Sequence, residues 1–210
     1  MKRFEIITEA DARVLARNET VMLARGGLVT PLARDTLNDR RVTVLFEAAM
    51  SDEEAALAPV ADIRRIVIGS DHAGVSLRRS LAGSLRARGL SVTALGSEGG
   101  PVEYPDVAAA VARTVARREA DAGIVIDGAG IGSAIAANKI RGVRAVMAPS
   151  ETIARYSREH NGANVLALGA TLVTPEEALA IVTTWLATPM REPRYIRRLA
   201  KIRELEAGDQ

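Results

Sequence analysis

The 210-residue chain contains no cysteine. Disulfides, thiolate metal sites and cysteine nucleophiles are therefore excluded. Aromatic residues make up only 3% of it, as one Trp, three Tyr and two Phe, too few for a surface that stacks nucleobases. Charge of either sign is nearly balanced, with 28 basic and 26 acidic residues, and this argues against nucleic acid as a partner. No apolar run approaches the roughly 20 residues of a membrane span. Met1-Lys2-Arg3 is followed by Glu5, Glu9 and Asp11 rather than by the apolar stretch of a signal peptide. A cytoplasmic protein without a membrane partner is the expectation.

What is present is a rhythm. From Ile63 onward, short apolar runs at 66–69, 91–95, 122–126, 143–147 and 164–168 alternate with amphipathic segments at 75–88, 105–118, 131–138, 150–159 and 175–186. Apolar strands, most of them rich in Val and Ile, separated by helices predict an α/β fold, a Rossmann-like doubly wound sheet of five parallel strands with helices on both faces. In such sheets ligands bind beyond the carboxyl ends of the strands. Residues 1–62 read as a separate extension, a small α+β appendage with a linker, ahead of the main domain at 63–210. Helices are expected over 9–16 and 32–39, strands over 21–23 and 42–46, and a helical or flexible linker over 51–59. The extension has net charge −3 and the remainder +5, and basic residues crowd at Arg191, Arg194, Arg197, Arg198, Lys201 and Arg203. Guanidinium forks match phosphate oxygens, although such a cluster also suits a solvated helix face.

The strand ends carry chemistry. The third run of the main domain ends in Asp127-Gly128-Ala129-Gly130-Ile131-Gly132 and opens a helix. Glycines there let backbone N–H groups converge on a phosphate or a developing oxyanion, although ordinary turn chemistry accounts for many such loops. It is not a P-loop, since no Gly-Lys-Ser/Thr follows. The first run ends in Asp71-His72, an acid/base pair by residue type, and the fourth helix ends in His160-Asn161. Both histidines of the chain thus fall at functional edges.

Six stretches carry a family resemblance: Gly69-Ser70-Asp71-His72-Ala73-Gly74, Glu103-Tyr104-Pro105-Asp106, Gly128-Ala129-Gly130-Ile131-Gly132, Ile135-Ala136-Ala137-Asn138-Lys139, Ser157-Arg158-Glu159-His160-Asn161 and Asn164-Val165-Leu166-Ala167-Leu168-Gly169. With Arg194 and Arg198 they make the chain resemble the family of ribose-5-phosphate isomerase B and the galactose-6-phosphate isomerase subunits. The resemblance implies aldose–ketose isomerisation of a small-molecule sugar phosphate through an enediolate, with no metal and no cofactor. It ties Asp71, His72 and His160 to hydroxyl binding, phosphate contact and ring opening. It makes loop 128–132 the enediolate cradle, Tyr104 a pocket wall, Asn161 a sugar contact, and Arg194 and Arg198, with Arg155 or Arg158, the phosphate ligands. It implies a homodimer with shared sites, and leaves open whether dimers pair into tetramers.

The pattern breaks at the base. The family places a cysteine immediately before Gly128, where this chain has Asp127. The family's loop threonine is Ala129, and the glutamate that some cysteine-free members use is Ser133. Asp127 is left as the candidate base, with a pKa expected to rise through burial and a nearby phosphate. Three readings follow: an isomerase with Asp127 as base, a sugar-phosphate-binding protein without turnover, and an epimerase using the same enediolate. Residues 97–102 are expected to help select the sugar. In the extension, 7–11 and 28–35 resemble a short element at the ends of some bacterial microcompartment proteins, those of ethanolamine utilisation among them. This implies docking to a shell or cargo partner inside a microcompartment; the alternative is a structural appendage.

Overall fold

Two threonines open the helices of the N-terminal segment. Thr8 caps α1 (Glu9–Val14), its hydroxyl accepting the Asp11 N–H while the Asp11 carboxylate accepts the Thr8 N–H at 2.9 Å. Thr30 caps α2 (Pro31–Asp39) at the Ala33 N–H, with Pro31 at the first helical position. Three strands, β1 (Arg3–Ile7), β2 (Thr20–Val29) and β3 (Thr43–Phe46), pair in parallel in that order. Ile7, Val21 and Leu23 meet Ala12, Leu15, Ala33 and Leu37 in a small closed core. β1 is absent from the expected elements and β2 extends well past 21–23. An irregularity between Phe4 and Ile6 shifts the register of β1 and hides its period-two pattern.

The computed structural model describes residues 1–47, 52–96, 100 and 102–208. The chain divides into two units, Met1–Ser51 and Asp52–Gln210. Residues 52–62, read from sequence as the end of the extension, with a linker over 51–59, therefore belong with the larger unit. α3 (Asp52–Ala55) packs on α9 (Pro193–Gly208), and Arg144 and Arg158 donate to the carbonyls of Leu57 and Val60 at 3.2 and 2.8 Å. Residue 51 lies outside the described residues.

In the larger unit the strands are β4 (Arg65–Ser70), β5 (Ser91–Leu95), β6 (Ala122–Asp127), β7 (Ala145–Met147) and β8 (Val165–Gly169). All are parallel, in the order β5-β4-β6-β8-β7, as expected of a doubly wound fold. The three central strands are buried on both faces, and their faces differ in side-chain size. Ile66, Ile68, Ile124, Ile126, Leu166 and Leu168 face α4 (Val75–Ala87), α7 (Glu151–Glu159) and α8 (Pro175–Ala187), packing on Leu81, Leu85, Ala154, Ile181 and Trp185. Val67, Val125, Val165 and Ala167 face α5 (Tyr104–Ala116) and α6 (Ile131–Ala137), packing on Val107, Val111, Ala134 and Ala137. Each buried Leu or Ile contributes about 1.5–3 kcal/mol relative to exposure, which makes this sandwich the main source of stability.

β7 starts later than the expected residue 143 because side chains take the backbone groups a longer strand would use. Asn164 Oδ1 accepts the Arg144 N–H at 2.8 Å, and the Asn138 amide bonds both the N–H and the C=O of Ala145. α9 carries the C-terminal arginines. The expected elements stop before it, since its charge pattern does not mark a boundary.

Candidate active site

The order of strands reverses between β4 and β6: the chain moves outward from β4 to β5, then returns to the other side of β4. That is the switch point at which doubly wound sheets bind ligands. An aspartate stands at each of the two strand ends. Asp71, just after β4, accepts the N–H groups of Ala73 and Gly74 on Oδ1 at 2.9 and 3.2 Å. Its own N–H donates to the Ile126 carbonyl at 3.2 Å, tying the two strand ends together. Asp127, the last residue of β6, accepts the Ala129 N–H at 2.8 Å and the Gly130 N–H on Oδ1, and the Ser133 N–H at 2.9 Å on Oδ2. Both are aspartate turns, in which a side chain supplies acceptors that the tight loop cannot.

Asp127 is 6% exposed. Burial pushes its carboxyl up, but the Ser133 hydroxyl and the N–H groups of Gly130, Ser133 and Ala129 outweigh burial and hold it below the ordinary aspartate value. This corrects the expectation of a raised pKa: in the free protein the loop's own donors stabilise the carboxylate. The Ser133 hydroxyl is wholly buried and makes no hydrogen bond of normal geometry among the described residues, so its influence on the carboxylate is through proximity.

The rest of the loop depends on two glycines. Gly130 has φ 77°, and a Cβ there would meet the Leu168 carbonyl carbon at 2.8 Å. A Cβ at Gly132 would lie 2.6 Å from the Tyr104 ring, so Tyr104, at the start of α5, forms one wall directly against the loop. Gly128 contributes its carbonyl, which accepts the N–H of Thr171 at 3.0 Å and its hydroxyl at 2.7 Å. The N–H groups of Ile131 and Gly132, in the first turn of α6, face no acceptor among the described residues. His72 is exposed beside this loop pair. Residues 97–99 and 101, within the stretch expected to select the sugar, lie outside the described residues.

The remaining candidates gather elsewhere. His160 ends α7, with its ring against Tyr156 and Tyr195 at centroid distances of 4.9 and 4.6 Å. Arg194 and Arg198 lie over the Tyr195 ring and Arg155 over the Tyr156 ring. Asn161 follows, exposed. Among the described residues no hydrogen bond, ion pair or ring contact joins this group to the Asp127 loop.

Arg158 does not belong to the group. It is 1% exposed, donates to the carbonyls of Ala163 and Val60, and lies 4.9 Å over the Trp185 ring. Helical geometry explains the difference, since Ala154, Ser157 and Arg158 form the buried face of α7 and Arg155 the exposed one. Burial, with help from Arg144, pulls the Arg158 pKa down to about 10, so it remains a cation at neutral pH and serves the fold. The tyrosines beside His160 were missed in sequence. Tyr156, four residues before His160 on a helix, was legible by spacing; Tyr195 had no local signal.

Comparison with known proteins bears on the fold. The ribose/galactose isomerase family model matches residues 66–202. Ribose-5-phosphate isomerase B of Escherichia coli is 39% identical over 145 residues, which cover 69% of this chain and 97% of that protein. D-erythrulose-4-phosphate isomerase 2 of Mycolicibacterium smegmatis is 41% identical over 126 residues, 58% of this chain and 83% of the relative. The crystal structure of ribose-5-phosphate isomerase B from Mycoplasma genitalium with bound ribulose 5-phosphate superposes with a TM-score of 0.66 at 37% identity, covering 68% of this chain and 96% of that one. The fold and its switch-point loop define a doubly wound α/β protein with a glycine cradle. The chain belongs to the ribose/galactose isomerase family. Residues before 66 lie outside the family match.

Proposed function

We propose that the chain interconverts an aldose phosphate and its ketose, ribose 5-phosphate and ribulose 5-phosphate or a neighbour in chain length, with Asp127 as the base. The observation that carries this reading is an ionised, nearly buried carboxylate at the switch point, held against a loop that has two backbone donors to spare. Oδ1 of Asp127 takes two N–H groups and Oδ2 only one, so Oδ2 keeps a lone pair for a substrate proton. The base removes the proton from C2 of the open-chain aldose, leaving an enediolate with its charge on O1. The N–H groups of Ile131 and Gly132 stabilise that oxygen. O1 then gains a proton, O2 gives one up, and the base returns its proton to C1. His160 assists ring opening, Asp71, His72 and Asn161 bind hydroxyls and phosphate edge, and Arg194 and Arg198, with Arg155, hold the phosphate.

The two residue groups come together across two copies in this reading. Support comes from the lack of a hydrogen bond, ion pair or ring contact between them among the described residues and from the exposed apolar side chains of Tyr104, Ile131 and Ile135 around the loop. A homodimer is the functional unit, and sedimentation of the full chain reports whether dimers pair further. Residues 1–62, centred on the separately cored unit, serve as the docking element, for a microcompartment shell or cargo partner. Exposed Ile6, Leu28 and Phe46 favour this, and removal of residues 1–51 is expected to abolish co-localisation with shells while sparing turnover.

A second reading, sugar-phosphate binding without turnover, draws on the same loop: a carboxylate below its ordinary pKa is a weak base. Incubation with four- to six-carbon sugar phosphates in deuterated water separates the readings. Deuterium at C1 or C2 with a change of carbonyl position is expected; binding without exchange supports the second reading, and inversion at one carbon supports epimerisation.

A further inference from the structure

Three tyrosines are all the chain has, and two of them hold one histidine. Tyr156 stacks on His160 with 17° between the ring planes, and Tyr195 covers it at 43°. Tyr195 is also the ring on which the two C-terminal arginines rest. The guanidinium carbon of Arg194 lies 4.7 Å from its centroid and that of Arg198 5.4 Å, and Arg194 donates to its hydroxyl at 2.9 Å. One rigid ring therefore touches both of these cations and the imidazole. Glu159 is the carboxylate near His160, at 4.0 Å.

A guanidinium resting on an aromatic face is held by its charge. A phosphate that takes two such guanidiniums draws that charge toward its own oxygens, with directional paired hydrogen bonds. A ring whose guanidiniums turn toward phosphate packs against changed neighbours, and a ring cannot bend. His160, 4.6 Å away and backed by Tyr156, is the neighbour that a shift of this ring would press.

We propose that Tyr195 is a positioning residue that couples anion binding at Arg194 and Arg198 to the orientation of the His160 imidazole. The coupling rests on the reading above that these arginines bind the substrate phosphate. It gives the site an order of events: the imidazole is aligned for ring opening once the phosphate is seated.

The full-length chain tests this without any turnover measurement. Its two histidines, His72 and His160, are separable by NMR, with His72→Gln assigning the signals. Inorganic phosphate is titrated while calorimetry follows binding and NMR follows His160. In the parent chain the His160 resonance is expected to move in step with saturation. In Tyr195→Leu, phosphate affinity should stay within about threefold while the His160 response falls by about threefold or more. Tyr195→Phe, which keeps the ring and loses only the hydroxyl bond, should retain most of the response. Thermal melts check folding, and Tyr195→Met replaces the leucine variant if that one melts early. A full His160 response in the leucine or methionine variant overturns the coupling, as does an equal loss in Tyr195→Phe. Phosphate that binds the parent chain without moving His160 overturns the coupling alone. No phosphate binding to the parent chain overturns the phosphate reading, and the coupling falls with it.

Discussion

Two aspartates stand side by side at the ends of β4 and β6, and they are used differently. Asp71 caps its turn with one oxygen and two N–H groups, whereas Asp127 spends both oxygens on three. Asp71 can offer Oδ2 to a ligand at little cost to its loop. Asp127 holds its loop with the same carboxylate that the proposed function makes the base. On that proposal the base is also the brace of its own loop, and every substitution there tests two properties at once.

The largest expected effect separates them. Asp127→Asn keeps an acceptor for the loop but removes the base, and turnover should fall by about a thousandfold or more, roughly 4 kcal/mol in the barrier, with ligand affinity little changed. Unchanged deuterium exchange would leave Asp127 as a brace only. Next come the alanine variants. Asp127→Ala orphans three loop donors and should cost about 2–3 kcal/mol of stability, against about 1–2 kcal/mol for Asp71→Ala, which orphans two; chemical denaturation reads both. Equal losses would erase the contrast. Smaller again, Asp71→Asn should slow turnover about tenfold, a cost of about 1.4 kcal/mol, because a hydroxyl contact is weakened and no proton transfer is lost.

The smallest effect is on acid stability. The folded pKa of Asp127 lies below its unfolded value, so the unfolded chain binds the proton more readily. The stabilisation is complete above the unfolded value of about 4 and fades as pH falls through the lower folded value. Asp127→Asn should flatten the fall of stability below about pH 4, read by chemical denaturation across an acid series.

Much of the fold was open to reading because buried parallel strands must be short Val, Ile and Leu runs, and 122–126 or 164–168 admit little else. β1 was not legible, since its register shift breaks alternation, and neither was the late start of β7, which depends on amide side chains 7 and 20 residues away. At the site, residue types were legible and directions were not. Asp127 followed by Gly128-Ala129-Gly130 spells an aspartate turn, and that pattern could have predicted a stabilised carboxylate instead of a raised pKa. Arg155 and Arg158 differ by three positions, yet only the packing of α7 against Trp185 and Val60 decides which one is buried.

That packing also gives the molecule a built-in optical reporter. Trp185 is the chain's one tryptophan, fully buried, with a guanidinium 4.9 Å above its ring. Its burial predicts blue-shifted emission while the larger unit is folded and a move to the red when Arg158 and the sheet let go. Residues 1–51 contain no tryptophan and unfold silently at that wavelength. A melt followed by tryptophan fluorescence and again by far-ultraviolet circular dichroism therefore resolves whether the two units unfold together or in succession, without a label or a cut in the chain.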